Sequence, residues 1–371
     1  MTASRRERQD SATDSRAKET MPNFERPRRR PAALAMVSLC LLSLAAGGCW
    51  SGAPTKEVVA YTALDSDFSK PIFADFREQT GITVLPKFDA ESAKTVGLTT
   101  DLIAEAEHPR CDVFWNNEII NTLRLEERGL LDAYRSPAAK EYPAIFRSPE
   151  GYWHGFAARA RVIVVNTERV AEVDRPTSIE DLTLERWRGQ IGIAKPLFGT
   201  TATHAACLFA VWGDERAEDY FERLKANDVR IMSGNRQVAQ AVAGGQLAFG
   251  LTDTDDAIGE MEAGKPLAII YPDQQAGGVG TLFIPNTLAI LKTCPHPAAA
   301  RKLVDYLLSP PVEAKLAAGP SAQIPLNPAV DAKTRVETPN TIRAMQVDFK
   351  AAADEWDTAA KFLRARFAAA D

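Results

Sequence analysis

Residues 247–256 read Leu-Ala-Phe-Gly-Leu-Thr-Asp-Thr-Asp-Asp, a short apolar run that ends in three carboxylates and two hydroxyls. The run predicts a β-strand, and its polar end predicts a loop at the edge of a sheet. Carboxylates crowded in this way repel one another unless a cation, an amine or helix N–H groups meet them. Two interpretations follow: Thr252 or Asp253 caps a helix over residues 255–264, or the cap also binds a ligand.

The composition of the chain is that of a globular protein. Its 371 residues are enough for two domains, and 45% of them are hydrophobic and 25% charged. Cys111, Cys207 and Cys294 are widely spaced and form no CxxC motif. They indicate buried thiols rather than a zinc site or a disulfide scaffold.

The N-terminus has the pattern of a secretory signal. Residues 1–30 are rich in arginine, residues 31–48 are mainly apolar, and small residues precede Cys49. This lipobox-like end predicts cleavage before Cys49, which would then carry the lipid; an uncleaved anchor is the alternative. Without residues 1–48 the chain keeps 35 basic and 44 acidic residues, a net charge of −9. That charge argues against nucleic acid as a partner.

The first half of the remaining chain alternates strand and helix patterns. Strands are predicted over residues 58–61, 82–88 and 111–115, each followed by a polar loop and a helix. Three such units indicate a mainly parallel, doubly wound sheet, whose loops meet at the carboxyl ends of the strands. The loop residues expected to converge there, each of which could also be a helix cap, are Asp65, Glu91, Asn116 and Asn117.

The second half contains two further groups of interest. Arg159 and Arg161 precede the longest β-type run, residues 162–165, and form either a paired guanidinium surface or a solvated strand face. Thr200 and Thr201 follow a glycine at the start of an apolar helix. Free N–H groups and hydroxyls at such a position form an anion site, although threonine is also a common helix cap.

The remaining patterns predict ordinary connecting elements. A helix is expected from a cap at residues 176–178 to about Arg188, and another over residues 341–370. Pro285 interrupts a strand over residues 280–291, which suits an edge or a crossover strand.

Several segments together carry a resemblance to a known family. They are Val59-Ala60-Tyr61-Thr62, residues 111–117 (Cys-Asp-Val-Phe-Trp-Asn-Asn), residues 159–167 (Arg-Ala-Arg-Val-Ile-Val-Val-Asn-Thr), residues 250–256, and residues 299–308. In this order they resemble the ferric-iron type of solute-binding protein of ABC transporters. The resemblance spans nearly the whole chain after the signal.

The resemblance implies an α/β fold of the two-lobe periplasmic-binding-protein class (type II, Venus-flytrap), with two crossover strands at the hinge. It implies a signal peptide over residues 1–48, a first lobe over 49–157, a second lobe over 158–283, and a return to the first lobe over 284–371. It also implies a lipid-anchored monomer in the periplasm or cell envelope. The expected partners are an ABC permease and its ATPase.

The resemblance further implies a ligand, ferric iron, that is transported and is not a cofactor. Iron-binding members of the family typically hold the metal with adjacent tyrosines, but this chain has no Tyr-Tyr pair. Asp253, Asp255 and Glu91 are therefore the expected metal ligands, since carboxylates are hard oxygen donors. The residues expected to hold a synergistic anion are Arg159, Thr200 and Thr201. The other expected ligand contacts are Asp65, Asn116, Asn117 and Thr252.

Two alternatives stay open. The same acids and anion site suit an amine-bearing oxyanion such as an aminoalkylphosphonate, with carboxylates on the ammonium group. A lipid-anchored sensor or receptor subunit would use the same cleft to signal. An enzyme is not predicted, because the chain has no GxSxG, HExxH or P-loop motif and its four histidines are scattered.

Overall fold

In the computed structural model of the protein, residues 56–89 and 95–368 are described. The predicted signal segment, the predicted lipidation site Cys49 and the predicted metal ligand Glu91 lie outside these ranges. The described residues belong to a single compact unit. No helix within them is long and apolar enough to cross a membrane.

The first part of the chain alternates strands and helices, as predicted. Its elements are β1 (Glu57–Thr62), α1 (Ser66–Thr80), β2 (Thr83–Phe88), α2 (Val96–Ala104), β3 (Val113–Asn116), α3 (Ile120–Glu127) and β4 (Leu131–Asp132). β1 lies between β2 and β3 and is parallel to both. The carboxyl ends of these strands therefore share one edge, where the loops after β1 and β3 carry Asp65 and Asn117.

The second part repeats this alternation. Its elements are β5 (His154–Asn166), β6 (Ile191–Ala194), α4 (Gly199–Trp212), α5 (Asp214–Ala226), β7 (Arg230–Met232), α6 (Asn235–Ala243), β8 (Phe249–Asp253), α7 (Thr254–Glu262), β9 (Leu267–Ile270) and β10 (Phe283–Leu291). β6 lies between β7 and β8 and is parallel to both. Gly250 of β8 is opposite Gly192 of β6, and a Cβ on Gly250 would lie only 2.7 Å from the Gly192 carbonyl oxygen and would clash with Val238. Glycine at this position therefore lets α6 pack closely on the sheet.

β5 and β10 connect the two groups of strands. The complete order is β2-β1-β3-β10-β5-β8-β6-β7, with β4 also paired to β10 and β9 to β5. The first half of β5 pairs with β10, and its second half pairs with β8 and β9. β10 is paired on both sides, so it is a crossover strand and the edge alternative is wrong. Pro285 lies at a register shift in β10, where a missing N–H costs no ladder bond.

The burial of two arginines and three cysteines corrects one prediction and confirms another. Arg159 is 3% exposed and Arg161 is fully buried, so the solvated strand face is wrong. Both side chains lie inside because β5 is covered along its whole length. Cys111, Cys207 and Cys294 are buried and free, as predicted.

Two predicted helices are wrong. In place of a helix from residue 176 to Arg188, the chain forms short 3-10 helices, Ile179–Thr183 and Glu185–Trp187, because Leu184 between them is extended. The C-terminal elements are α8 (Pro297–Leu307), α9 (Pro310–Ala318), α10 (Phe349–Asp354) and α11 (Trp356–Phe367). The predicted helix over residues 341–370 thus begins only at Phe349, where the Asp348 carboxylate accepts a 2.8 Å hydrogen bond from the Lys350 N–H.

Candidate ligand-binding site

A small polar cavity lies where loops from both groups of strands meet. Its volume is about 30 Å³. Apart from Arg159, which lies within β5, its lining comes from the carboxyl ends of five strands and from the loops and helix starts that follow them. The lining residues are Leu64, Asp65, Asn117, Arg159, Ala194, Phe198, Gly199, Thr200, Thr201, Gly234, Asn235, Asp253, Asp255 and Asp256. A space of this size holds an ion or a water molecule, whereas sites for drug-sized ligands are about ten times larger or more.

Asp253 lies at the centre of the polar network. Its Oδ1 is 2.6 Å from Nη1 of Arg161, and both side chains are buried. Its Oδ2 accepts hydrogen bonds from Thr200 Oγ1 at 2.5 Å and from Asn235 Nδ2 at 3.0 Å. Asp253 occupies the N-cap position of α7, but its side chain makes no capping hydrogen bond. The interpretation of this carboxylate as a simple helix cap is therefore wrong, because the buried guanidinium and hydroxyl draw it away from the helix.

Arg161 is the arginine that contacts the start of α4. Its Nη1 donates to Thr200 Oγ1 and its Nη2 to Thr201 Oγ1, each at 3.3 Å. Nη1 also donates to Asn235 Oδ1 at 3.1 Å. The resemblance groups Arg159 with these threonines around an anion, and the anion-binding role of Arg159 stays a prediction; the arginine that contacts them is Arg161. The reason is register: Arg161, not Arg159, is directly opposite Asp253 in the β5–β8 pair.

Arg159 faces a different acid. Its Nη1 lies 3.5 Å from Asp255 Oδ2, and its Nη2 donates to Asn286 Oδ1 at 3.2 Å. Burial alone would lower the pKa of the Arg159 guanidinium, but Asp255 and, after it, Asp253 raise that pKa above its ordinary value. Arg159 is therefore a fixed positive charge at the cavity wall.

A third arginine connects the two sides of the cavity mouth. Arg236 Nη2 lies 2.7 Å from Asp65 Oδ2, and Arg236 Nε lies 3.7 Å from Asp256 Oδ1. Asp65 follows β1, whereas Arg236 is the second residue of α6 and Asp256 lies in α7. A buried hydrogen bond of 2.8 Å from Thr203 Oγ1 to Glu118 Oε2 makes a second link between the two groups of strands.

Three carboxylates form a candidate cation site. Oxygen atoms of Asp253, Asp255 and Asp256 all lie within 4.8 Å of one another. Carboxylate oxygens at this spacing are suitable ligands for a hard metal ion. None of the seven tyrosines of the chain lines the cavity.

Three helices begin at the cavity, namely α4, α6 and α7. Gly199 at the start of α4 has φ +60°, a left-handed conformation that glycine adopts without strain. The N-cap residues Phe198, Gly234 and Asp253 make no side-chain capping bond in these helices. Helix N-termini carry a partial positive charge and free N–H groups, so this wall of the cavity favours an anion.

The structure brings together most of the residues singled out from the sequence. Those that line the cavity are Asp65, Asn117, Arg159, Thr200, Thr201, Asp253 and Asp255. Two do not. The Asn116 side chain donates to Glu118 Oε1 at 2.7 Å, and the Thr252 hydroxyl donates to the Asn235 carbonyl at 2.9 Å. Both side chains are hydrogen-bonded to neighbouring residues, and their contact with a ligand stays a prediction.

Arg161, Asn235, Arg236 and Asp256 belong to the network but were not among the predicted site residues. Asn235 could have been found from the sequence, because it opens a helix directly after a strand, as Thr200 does. The role of Arg161 depends on strand pairing, which the sequence does not specify.

His204 provides a test of the electrostatics in α4. Burial, and the nearby Arg161 after it, hold the pKa of this imidazole well below its usual range. The unfolded chain therefore takes up a proton below about pH 6.5 that the folded chain does not, and stability is lost as the pH falls. We expect the free energy of unfolding of the wild type to fall by up to about 1.4 kcal/mol per pH unit more than that of His204→Leu. Urea unfolding at several pH values measures this, and parallel profiles would contradict it.

Comparison with known proteins identifies the family. A family model described as bacterial extracellular solute-binding protein matches residues 121–350. The chain belongs to this family. The prediction of a binding protein rather than an enzyme is thereby confirmed, because members of the family bind solutes for transport.

Individual relatives of this solute-binding protein are distant but extensive. Iron uptake protein A1 of Synechocystis sp. is 26% identical over 290 residues, which are 74% of this chain and 79% of the relative. Iron-bound HitA of Pseudomonas aeruginosa superposes with a TM-score of 0.76 at 23% identity, over 84% of this chain and 99% of HitA. AfuA of Actinobacillus pleuropneumoniae, solved with fructose-6-phosphate, gives 0.75 at 22% identity, over 85% and 100%. These structures confirm the two-lobe periplasmic-binding-protein fold.

Proposed function

We propose that this solute-binding protein is the periplasmic component of an ABC importer and captures ferric iron, together with an oxyanion, between its two lobes. Closure around the ligand then presents it to a membrane permease driven by an ATPase. The lobes divide near residues 157 and 283, and Cys49 anchors the protein to the membrane through its lipid. The names of Iron uptake protein A1 and iron-bound HitA support iron as the ligand.

The observation that carries the proposal is the carboxylate cluster on a very small cavity. Asp253, Asp255 and Asp256 offer oxygen atoms within 4.8 Å of one another. The cavity beside them has a volume of about 30 Å³, which suits a single ion. Fe(III) is a hard cation, and anionic oxygen donors are the ligands it prefers.

The charges around the cluster explain why an oxyanion would accompany the metal. Arg159, Arg161 and Arg236 each lie within 4.0 Å of one of the carboxylates that line the cavity. A trivalent cation placed beside three guanidiniums and three helix N-termini is repelled unless an anion lies between them. Thr200 and Thr201 line the cavity at the start of α4, and their backbone N–H groups are the donors that we expect to contact that anion.

A second ligand class is favoured by a separate observation. The Asp253 carboxylate accepts hydrogen bonds from Arg161, Thr200 and Asn235, and no tyrosine lines the cavity. An amine-bearing oxyanion would need no phenolate: its ammonium group would contact Asp255 and its anionic end the α4 start. The likeness to AfuA, solved with fructose-6-phosphate, supports the oxyanion part of this ligand and not its amine. Such a ligand is larger than the 30 Å³ cavity, so it can bind only if the two lobes move farther apart.

A thermal-shift screen of the metal-stripped protein separates the two classes. We expect Fe(III) with carbonate or citrate to stabilise the protein in a way that depends on Asp255, and we expect no Asp255-dependent stabilisation by phosphate or aminophosphonate alone. A ligand at 100 times its Kd adds about 2.7 kcal/mol to the free energy of unfolding. Asp255→Asn should weaken the response to iron, whereas Asp174→Asn, at an exposed ion pair, should not. Stabilisation by an aminophosphonate without iron that Asp255→Asn abolishes would reject the iron proposal.

The visible spectrum gives an independent prediction. Tyrosine-ligated ferric proteins are coloured because the phenolate transfers charge to the metal. Since no tyrosine lines this cavity, we expect the iron-loaded protein to lack a phenolate-to-iron band in the visible range. Absorbance during titration with ferric citrate measures this. A coloured product would show that a phenolate reaches the metal and that the carboxylate ligand set is wrong.

A further inference from the structure

A second cavity, of about 360 Å³, lies in the first group of strands and shares no lining residue with the carboxylate cavity. It lies between the segment that precedes β5 and the start of that strand. Its lining residues are Arg135, Ser136, Ala139, Ala144, Arg147, Ser148, Pro149, Gly151 and His154. Two guanidiniums and an imidazole thus share one cavity, and no carboxylate is among the lining residues.

One ring nitrogen of His154 is hydrogen-bonded, and the other has no hydrogen-bond partner among the described residues. The side chain is 5% exposed, and its Nε2 lies 2.8 Å from the carbonyl oxygen of Tyr134. Since a carbonyl only accepts, Nε2 carries the proton, and Nδ1 of the neutral ring is a hydrogen-bond acceptor. Nδ1 is buried and has no hydrogen-bond partner among the described residues. Burial lowers the pKa of His154, which favours this neutral form.

Arg147 is also incompletely paired. Its Nε is buried without a partner in the described part of the chain, and its Nη1 reaches the carbonyls of Ala139 and Lys140 only at 3.4 and 3.5 Å. Arg135 donates from Nη2 to the Pro149 carbonyl at 3.2 Å. Neither guanidinium has a carboxylate partner in the described residues, so both positive charges remain available to an anion.

From these contacts we propose a second binding site, for a phosphate or phosphate monoester that retains one proton. The anionic oxygens contact Arg135 and Arg147. The remaining P–OH donates to Nδ1 of His154, so one proton is shared between the phosphate and the ring. Sulfate carries no such proton near neutral pH, and its oxygens would face the lone pair of Nδ1. The site therefore discriminates between two anions of similar size.

The test counts phosphate sites by isothermal titration calorimetry on the full chain, with inorganic phosphate and glycerol phosphate as probes. We expect the wild type to bind one phosphate more than Arg135→Met/Arg147→Met does. Arg147→Met alone should weaken this site at least tenfold. The matched control Arg186→Met, at an exposed arginine elsewhere on the chain, should bind as the wild type does. Equal stoichiometry in the wild type and the double variant would overturn the proposal.

The choice between phosphate and sulfate tests the role of His154. His154→Gln keeps a donor for the Tyr134 carbonyl but loses the acceptor Nδ1, so phosphate should lose its advantage over sulfate. In the wild type, sulfate binding should increase as the pH falls and the ring gains a proton, which the nearby Asp305 carboxylate favours and the Arg147 guanidinium opposes. Wild-type protein that binds sulfate as well as phosphate at neutral pH would contradict this role. Because the two cavities share no residue, these results are independent of the ligand in the carboxylate site.

Discussion

Arg161→Met is expected to destabilise the fold by about 3–5 kcal/mol and to abolish ligand capture. The guanidinium is fully buried and lies 2.6 Å from Asp253. Its removal leaves a buried carboxylate with hydrogen bonds but without a countercharge, and that uncompensated charge accounts for most of the cost. Urea unfolding of the variant, followed by circular dichroism, measures the stability.

Two further variants separate stability from binding at this pair. Arg161→Met/Asp253→Leu removes both charges, so we expect it to recover much of the lost stability while ligand binding stays absent. Arg186→Met breaks an ion pair with Asp174 in which both side chains are more than half exposed, and its effect should stay within about 1 kcal/mol. An Arg161→Met protein as stable as the wild type would show that Asp253 is not charged or is not enclosed.

The alternation of strands and helices was predictable because it depends on local patterns. Apolar runs such as residues 162–165 and helix starts such as Thr200 are legible one segment at a time. The two wrong helix predictions arose where one local sequence pattern conflicted with another. Ser178 predicted a helix start, and it does form a capping box, but the helix ends after one turn because Leu184 is extended. At the C-terminus, Asp348 is the N-cap of α10, so the helix begins at Phe349 and not at residue 341.

The site was predictable as a set of loops but not as a set of contacts. Parallel strands send their carboxyl ends to one edge, so Asp65, Asn117, Thr200 and Asp253 could be expected to meet there. Which arginine pairs with which acid depends on the register between β5 and β8, and a spacing of two residues in the sequence does not determine it. The sequence therefore could not show that Arg161, and not Arg159, contacts Asp253 and Thr200.

The crossover strand β5 contacts another buried carboxyl group, which does not line the carboxylate cavity. Glu313 of α9 is 1% exposed. Its Oε1 accepts hydrogen bonds from the N–H groups of Ala157 at 2.6 Å and Leu326 at 3.0 Å, and its Oε2 accepts from Asn327 at 2.8 Å. Ala157 belongs to β5 and has φ +44°, an unfavourable conformation for a residue with a Cβ. One carboxylate thus fixes a strained point of the crossover strand to the loop after α9.

Glu313→Leu is therefore expected to destabilise the protein by at least about 3 kcal/mol, since three buried N–H groups lose their acceptor at about 1–3 kcal/mol each. Glu313→Gln keeps one oxygen acceptor and should cost less. Urea unfolding of both variants beside the wild type measures these effects. If Glu313→Leu proved no less stable than Glu313→Gln, the three backbone bonds would not be what this carboxylate contributes.

The pH dependence of stability in the wild type and in Glu313→Gln is a second test of this carboxyl group. Burial raises the pKa of Glu313, although the N–H groups of Leu326, Ala157 and Asn327 oppose the shift. An acid with a raised folded pKa binds its proton more tightly in the folded state, so stability falls as the pH rises from the unfolded value of 4.5 through the folded pKa. Glu313→Gln lacks this titration. The advantage of the wild type over Glu313→Gln should therefore be larger at about pH 4 than at about pH 7, and an advantage that grew with pH would mean that the N–H groups outweigh burial.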